Sequence, residues 1–186
     1  MNKRDEILAA ARPVAQAHGY NGLSFRDLAK AVGVKSASVH YHFPTKGDLG
    51  AALAGRYREE TRALLDGYLA AGLDPAACLA RYVAAFRLAL ERDNRMCLCG
   101  IMAAEYDDLP DSVKAEVAGF ADDNVAWLGR VLALLDPERP DEAVNQHALA
   151  IHAAVAGAQL VARGRGSVAL YDRIIDGYRR SGLIPG

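Results

Sequence analysis

The chain has 186 residues, 52% of them hydrophobic and 7% aromatic, and 22 Lys and Arg stand against 23 Asp and Glu, a formal net charge of −1. The length suits one compact unit or two small ones closely joined, and the composition excludes a disordered chain and a collagen-like repeat. The near-zero total excludes a polyanion-binding surface spread over the whole molecule, but it leaves open how charge is distributed along the chain.

In chain order, nearly every segment fits the i, i+3, i+4 spacing of an amphipathic helix. Over 4–18, Ile7, Leu8, Ala11, Val14, Ala15 and His18 share one face, and Gly19 supplies a stop. Pro13 lacks the donor for the carbonyl of residue 9, so it is expected to kink this helix or displace its start. Ser24 with Asp27 three residues on resembles a capping box. The short helix it opens carries Phe25, Leu28, Ala29 and Val32 and ends at Gly33. A second short helix is expected over about 35–42 and ends at Phe43-Pro44, because proline disfavours helical geometry in the residue before it. Thr45 can cap a longer helix over about 46–71. Asp74-Pro75 is a cap followed by proline at the first helical position, opening a helix to about residue 92. Further helices are expected over 96–106, 110–135, 141–163 and 167–180, with Asp136–Pro140 and Gly164-Arg165-Gly166 as connections. The fold class is all-α, with about nine helices, without repeats or low-complexity tracts.

Three cysteines (Cys78, Cys97, Cys99) make no disulfide framework, and their odd number points to a reducing cytoplasm. The N-terminus carries both charge signs and does not read as a signal peptide. The run Ala143–Ala162 has no Asp, Glu, Lys or Arg, but Asn145, Gln146, His147, His152 and Gln159 make it an interior or interface helix rather than a membrane span.

Two short helices about a tight glycine-containing turn are the signature of a helix-turn-helix. Ala29 is small where the helices cross. Gly33 sits where the turn requires positive φ. Val39 packs the second helix back on the first, and Leu28, Val32 and Val34 complete an apolar cluster. In the second helix, Lys35, Ser36, Ala37, Ser38 and Tyr41 are expected to face the DNA major groove, where Lys donates to guanine and Ala meets a thymine methyl. Residues 1–50 hold seven Lys and Arg against four Asp and Glu, a balance of +3; the remainder holds 15 against 19, a balance of −4. The basic surplus falls on the segment that would meet phosphate.

The residues Ile7-Leu8, Ala10-Ala11, Gly19-Tyr20, Ser24–Ala29, Gly33-Val34 and Val39–Lys46 together resemble the N-terminal domain of the TetR/AcrR family of transcriptional regulators. The resemblance covers about residues 4–53. It departs at Pro13, at Ala37 where glycine is common, and at His40 where tyrosine is common. It implies a three-helix DNA-binding domain over 1–48 and a helical effector-binding and dimerisation domain over 49–186. It assigns phosphate contacts to Ser24, Arg26, His40, His42 and Lys46. It further implies a homodimer through the last two helices, a pseudo-palindromic double-stranded operator, a small-molecule effector and, most commonly, repression. The alanines of 141–163 give a surface that permits close helix approach.

Phe86, Cys97, Met102, Tyr106, Phe120, Trp127, His152 and Gln159 are the expected lining of an apolar effector pocket with few polar groups. Cys97 also resembles a small buried packing residue common in this family. Cys97 and Cys99 offer an alternative, a thiol sensor of electrophiles or oxidants, since a helix start with Arg92 and Arg95 close in sequence lowers a thiol pKa. Cys-x-Cys without a second pair, and His147 and His152 five apart, do not make a metal site. No cofactor is expected. A cysteine-nucleophile enzyme finds no base at a suitable spacing, and an enzyme of any kind leaves the N-terminal pattern unexplained. A dimeric helical ligand-binding protein without DNA binding is the remaining alternative.

Overall fold

The computed structural model describes residues 2–185. Among them are nine α-helices, one 3-10 turn and no strand: α1 Lys3–His18, α2 Phe25–Ala31, α3 Ser36–His42, α4 Lys46–Ala70, α5 Pro75–Glu91, α6 Leu98–Ala103, the 3-10 turn Tyr106–Asp108, α7 Asp111–Leu135, α8 Asp141–Gly164 and α9 Val168–Arg180. The all-α class stands, and most boundaries lie within a residue or two of those expected. Helix α1 begins at Lys3 and contains Pro13, so its start is not displaced. One expectation does not hold. The expected helix over 96–106 is shorter: α6 stops at Ala103, and Ala104 and Glu105 lead into the 3-10 turn.

The helix ends follow from local chemistry. Asn2 accepts from the Asp5 N–H at the start of α1, Ser24 from Asp27 N–H at 3.4 Å, Asp74 from Ala77 N–H at 2.8 Å and Ser167 from Leu170 N–H at 3.2 Å. Thr45 and Asp48 cap α4 reciprocally: Asp48 N–H donates to Thr45 Oγ1 at 3.1 Å, and Thr45 N–H to Asp48 Oδ2 at 2.9 Å. Each side-chain oxygen accepts from a backbone N–H that would otherwise lack an intrahelical partner.

The chain divides into two compact units, one comprising residues 1–59 and 97–120, the other 60–96 and 121–186. The first unit contains α1–α3, the N-terminal half of α4, α6, the 3-10 turn and the first part of α7. Its core is Ile7, Leu8, Ala11, Ala15, Leu28, Val39, Phe43, Leu49 and Leu53 from the N-terminal helices, with Leu98, Met102 and Val113. Arg56 of α4 pairs with Asp5 of α1 at 3.0 Å. The second unit packs α5, α8 and α9 with the rest of α7 about Leu79, Tyr82, Trp127, Leu128, Ile151, Val155 and Tyr171. Arg87 of α5 grips Asp172 of α9 through two bonds of 2.7 and 3.0 Å, and the Tyr171 hydroxyl donates to the Val83 carbonyl at 2.9 Å. Among the described residues no helix is long and apolar enough to cross a membrane.

Candidate functional site

In the first unit, α2 and α3 form two short helices joined by a four-residue turn. The turn closes on the α2 C-terminus: Val34 N–H donates to the Ala29 carbonyl at 2.9 Å and Gly33 N–H to the Lys30 carbonyl at 3.3 Å. Gly33 takes φ +69°, the left-handed geometry that this closure needs and that glycine adopts without penalty. Leu28, Ala29 and Val39 are buried between the helices, while Val32 and Val34 are only half-buried. Phe43 is buried beneath the Arg4 guanidinium, 5.2 Å from the ring centre, and so belongs to the core.

Burial of Val39 turns the opposite face of α3 outward. Lys35, Ser36 and Ala37 are exposed at its N-terminal end and Ser38 is half-buried. Tyr41 is 83% exposed, its ring edge-on to His42 at 5.2 Å. His40 is exposed with its ring edge-on to Phe25 at 4.6 Å, and His42 is half-buried. Arg26 is exposed and 3.7 Å from Asp27, and Ser24 serves as the α2 cap. Lys46 is more constrained: its ammonium donates to the Asn21 carbonyl at 3.1 Å and lies 4.8 Å over the Tyr20 ring. An ammonium has three donors, so this anchorage leaves it capacity for a phosphate. A rigid helix presenting Lys, Ser, Ala and an exposed Tyr can enter a major groove, with cations at its flanks for the backbone.

This geometry agrees with comparison to known proteins. The sequence profile of the bacterial regulatory proteins of the tetR family matches residues 7–53, which cover α2, α3 and their supports. A crystal structure of a TetR transcriptional regulator from Legionella pneumophila is 30% identical, with a TM-score of 0.89 and 97% of each chain covered. The chain belongs to the TetR family. A TetR-family transcriptional regulator from Agrobacterium tumefaciens is 31% identical, with a TM-score of 0.86 over 97% of this chain and 95% of that one. A regulatory protein TetR from Rhodobacter sphaeroides, 22% identical with a TM-score of 0.84 over 95% and 96% of the two chains, shares the fold. A comparison with curated proteins returned no match. As a TetR-family member the chain is a DNA-binding transcriptional regulator.

The residues expected to line an effector pocket fall into two groups in this TetR-family protein. Phe86, Trp127, His152 and Gln159 come together inside the second unit. They gather around Tyr82, which sequence reasoning passed over although it lies one helical turn from Phe86. The Tyr82 hydroxyl and His152 Nδ1 share a hydrogen bond of 2.7 Å, and the Tyr82 ring stacks on Trp127 at 5.8 Å. Phe86 meets His152 edge-on at 6.3 Å, and Gln159 Nε2 donates to the Phe86 carbonyl at 2.7 Å. Asn124 is buried, and the Trp127 indole N–H is buried with no hydrogen-bond partner among the described residues. Burial lowers the pKa of His152 from its ordinary value of 6.5.

Cys97, Met102 and Phe120 belong instead to the first unit, and Tyr106 is 61% exposed there, under the Lys114 ammonium. Cys97 occupies the N-cap position of α6, at the helix start the sequence indicates, but the lowered thiol pKa expected there is not found. Burial pushes the Cys97 thiol up, outweighing the amides of Gly100 and Cys99, a hydrogen bond with Tyr57 and the field of Arg12. Burial raises Cys99 as well, with neighbouring Cys97 adding to the effect. The cation that acts on Cys97 is Arg12, whose guanidinium lies 4.7 Å over the Tyr57 ring; Arg95 pairs with Asp93 at 3.3 Å. Buried, protonated thiols are poor nucleophiles. Among the described residues no group of three or more His, Cys, Asp and Glu is placed to hold a metal.

Proposed function

We propose that this TetR-family regulator is a homodimeric repressor, released from a pseudo-palindromic operator when a small uncharged effector binds the interior of its C-terminal region. The reading assigns DNA recognition to residues 1–48 and effector binding with dimerisation to 49–186, in the cytoplasm where the operator is. Lys35, Ser36, Ala37, Ser38 and Tyr41 read bases, while Ser24, Arg26, His40, His42 and Lys46 hold phosphates. The observation that carries it is the exposure of Tyr41 on a helix whose other face is anchored by fully buried Val39. A helix with one face buried and a large ring exposed on the other can present that ring to a major groove. Effector binding is assigned to the Tyr82, Phe86, Trp127, His152 and Gln159 cluster, whose charge-free interior favours an uncharged ligand.

Dimerisation is assigned to α8 and α9. Leu149, Leu160 and Val161 are exposed on α8, and half-exposed or exposed Ala153, Ala156 and Gly157 lie between them along the helix. Small residues flanked by exposed leucines allow a partner helix close approach, and a two-fold dimer demands two symmetry-related half-sites. The effector acts by preferring a conformation in which the two recognition helices no longer match successive major grooves.

Selection of retained fragments from random-sequence DNA tests this reading. Enrichment of a palindromic sequence, with a protected footprint on both halves, is the expected result. Fragments without two-fold symmetry, or none retained, contradict it. Leu160→Glu should yield a monomer by sedimentation and lose the operator with it.

A further inference from the structure

Residues 19–21, the corner between α1 and α2, receive side chains from two distant parts of the sequence. Glu105, between α6 and the 3-10 turn, places one carboxylate oxygen 2.5 Å from the Tyr20 N–H and the other 3.2 Å from the Asn21 N–H. Asp108, in the 3-10 turn, accepts from Asn21 Nδ2 at 2.7 Å. Opposing charge comes from α4, where Lys46 holds the Asn21 carbonyl and covers the Tyr20 ring. Gly19 completes the cradle. It takes φ 72° and ψ −169°, and a Cβ built there would overlap the Glu105 carboxylate. Backbone, glycine and carboxylate are thus fitted to one another, and all of them lie in the first compact unit.

Nothing in the sequence near Glu105 concerns DNA, and the carboxylate is too far along the chain to be a local cap. Its partners are two successive backbone N–H groups just after α1, which donate to this carboxylate. Charge-assisted bonds of this kind are strong and directional. A shift of the 98–108 segment of about 1 Å would stretch both beyond useful hydrogen-bond length. The corner in turn fixes where α2 starts, and α3 follows α2 through a closed four-residue turn.

We infer that Glu105 is a positioning residue for the DNA-reading helices, tying the orientation of α2 and α3 to the placement of α6 and the 3-10 turn. The inference deepens the DNA-binding reading above and rests on it. It gives movement of α6 a route to the recognition helix through the α1–α2 corner, besides the covalent route along α4. Coupling is reciprocal, so operator binding must be felt at α6 even when no effector is present.

The test follows amide hydrogen exchange of the full chain with and without the selected operator fragment. In the wild type, operator should slow exchange over 98–109 at least twofold, together with 35–45. In Glu105→Ala, the operator should still protect 35–45 while the change over 98–109 falls by at least half. Glu105→Gln offers one acceptor oxygen and an amide NH2, so it should retain part of the response; it also carries the comparison if the alanine variant does not fold. A mere loss of stability would raise exchange equally with and without DNA, and would leave the operator-dependent difference in place. The inference is overturned if operator leaves 98–109 unchanged in the wild type, or if both variants keep the full wild-type difference. Failure of the wild type to retain any DNA overturns the DNA-binding reading itself, a result distinct from either.

Discussion

Gly19 and Gly33 both hold positive φ, yet their surroundings differ. Around Gly33 a Cβ would meet nothing within 4 Å, so Gly33→Ala costs only the left-handed backbone, about 1–2 kcal/mol. Gly19 lies at φ 72° and ψ −169°, a region essentially confined to glycine and costing about 1–3 kcal/mol for other residues. Gly19→Ala must also displace the Glu105 carboxylate. Thermal unfolding should therefore show a larger fall in Tm for Gly19→Ala than for Gly33→Ala; equal falls would contradict this account of the corner. His152 makes a second prediction at this scale. Its folded-state pKa lies below 6.5, so below that pH the unfolded chain binds the proton more readily than the folded one. Its contribution to stability is present above pH 6.5 and is lost as pH falls from there to the depressed folded value. Unfolding midpoints measured from pH 7.5 down to 5.5 should fall less steeply for His152→Leu than for the wild type. Parallel curves would show that burial of this imidazole is not linked to folding.

At the scale of the helices, caps set most boundaries, and caps are local. Ser24, Thr45, Asp74-Pro75 and Gly33 each mark an end that the structure places within a residue or two. Asp74→Ala should cost about 1 kcal/mol, a fall in Tm of a few degrees, and leave operator affinity unchanged, because α5 carries no DNA contact in this account. A change in affinity would argue against that separation. What sequence reading did not reach was tertiary. The end of α6 was misplaced because Ala104 to Asp108 are drawn into the corner contacts of Glu105 and Asp108, with partners more than eighty residues away. The lowered pKa that the thiol-sensor alternative needs fails at Cys97 because amides at a helix start lower a pKa while burial raises it, and the buried-packing reading is the one that stands. The effector residues were split for a similar reason. Helical periodicity shows which side chains share a face, as for Phe86 and Tyr82, but not which faces meet. The recognition helix was the most legible part, because its chemistry and its packing lie within about twenty consecutive residues.

Across the whole molecule, the net charge of −1 conceals a division. Residues 1–50 carry +3 and the remainder −4, so the basic surplus lies with the helices that meet DNA while the rest of the chain adds no attraction for phosphate. Affinity should depend on salt through those few cations alone, and specificity on the bare face of α3. The most direct test is operator binding at a series of salt concentrations for the wild type and for Tyr41→Ala, with unfolding measured alongside. Tyr41 contributes little to the folded core at 83% exposure, so its removal should leave the unfolding free energy unchanged within about 0.5 kcal/mol. The account predicts a linear fall of log affinity with log salt for both proteins, and at least a tenfold loss for Tyr41→Ala at every salt concentration. Equal affinity of the two proteins for the operator, or a Tyr41→Ala variant that unfolds as its binding is lost, would contradict it.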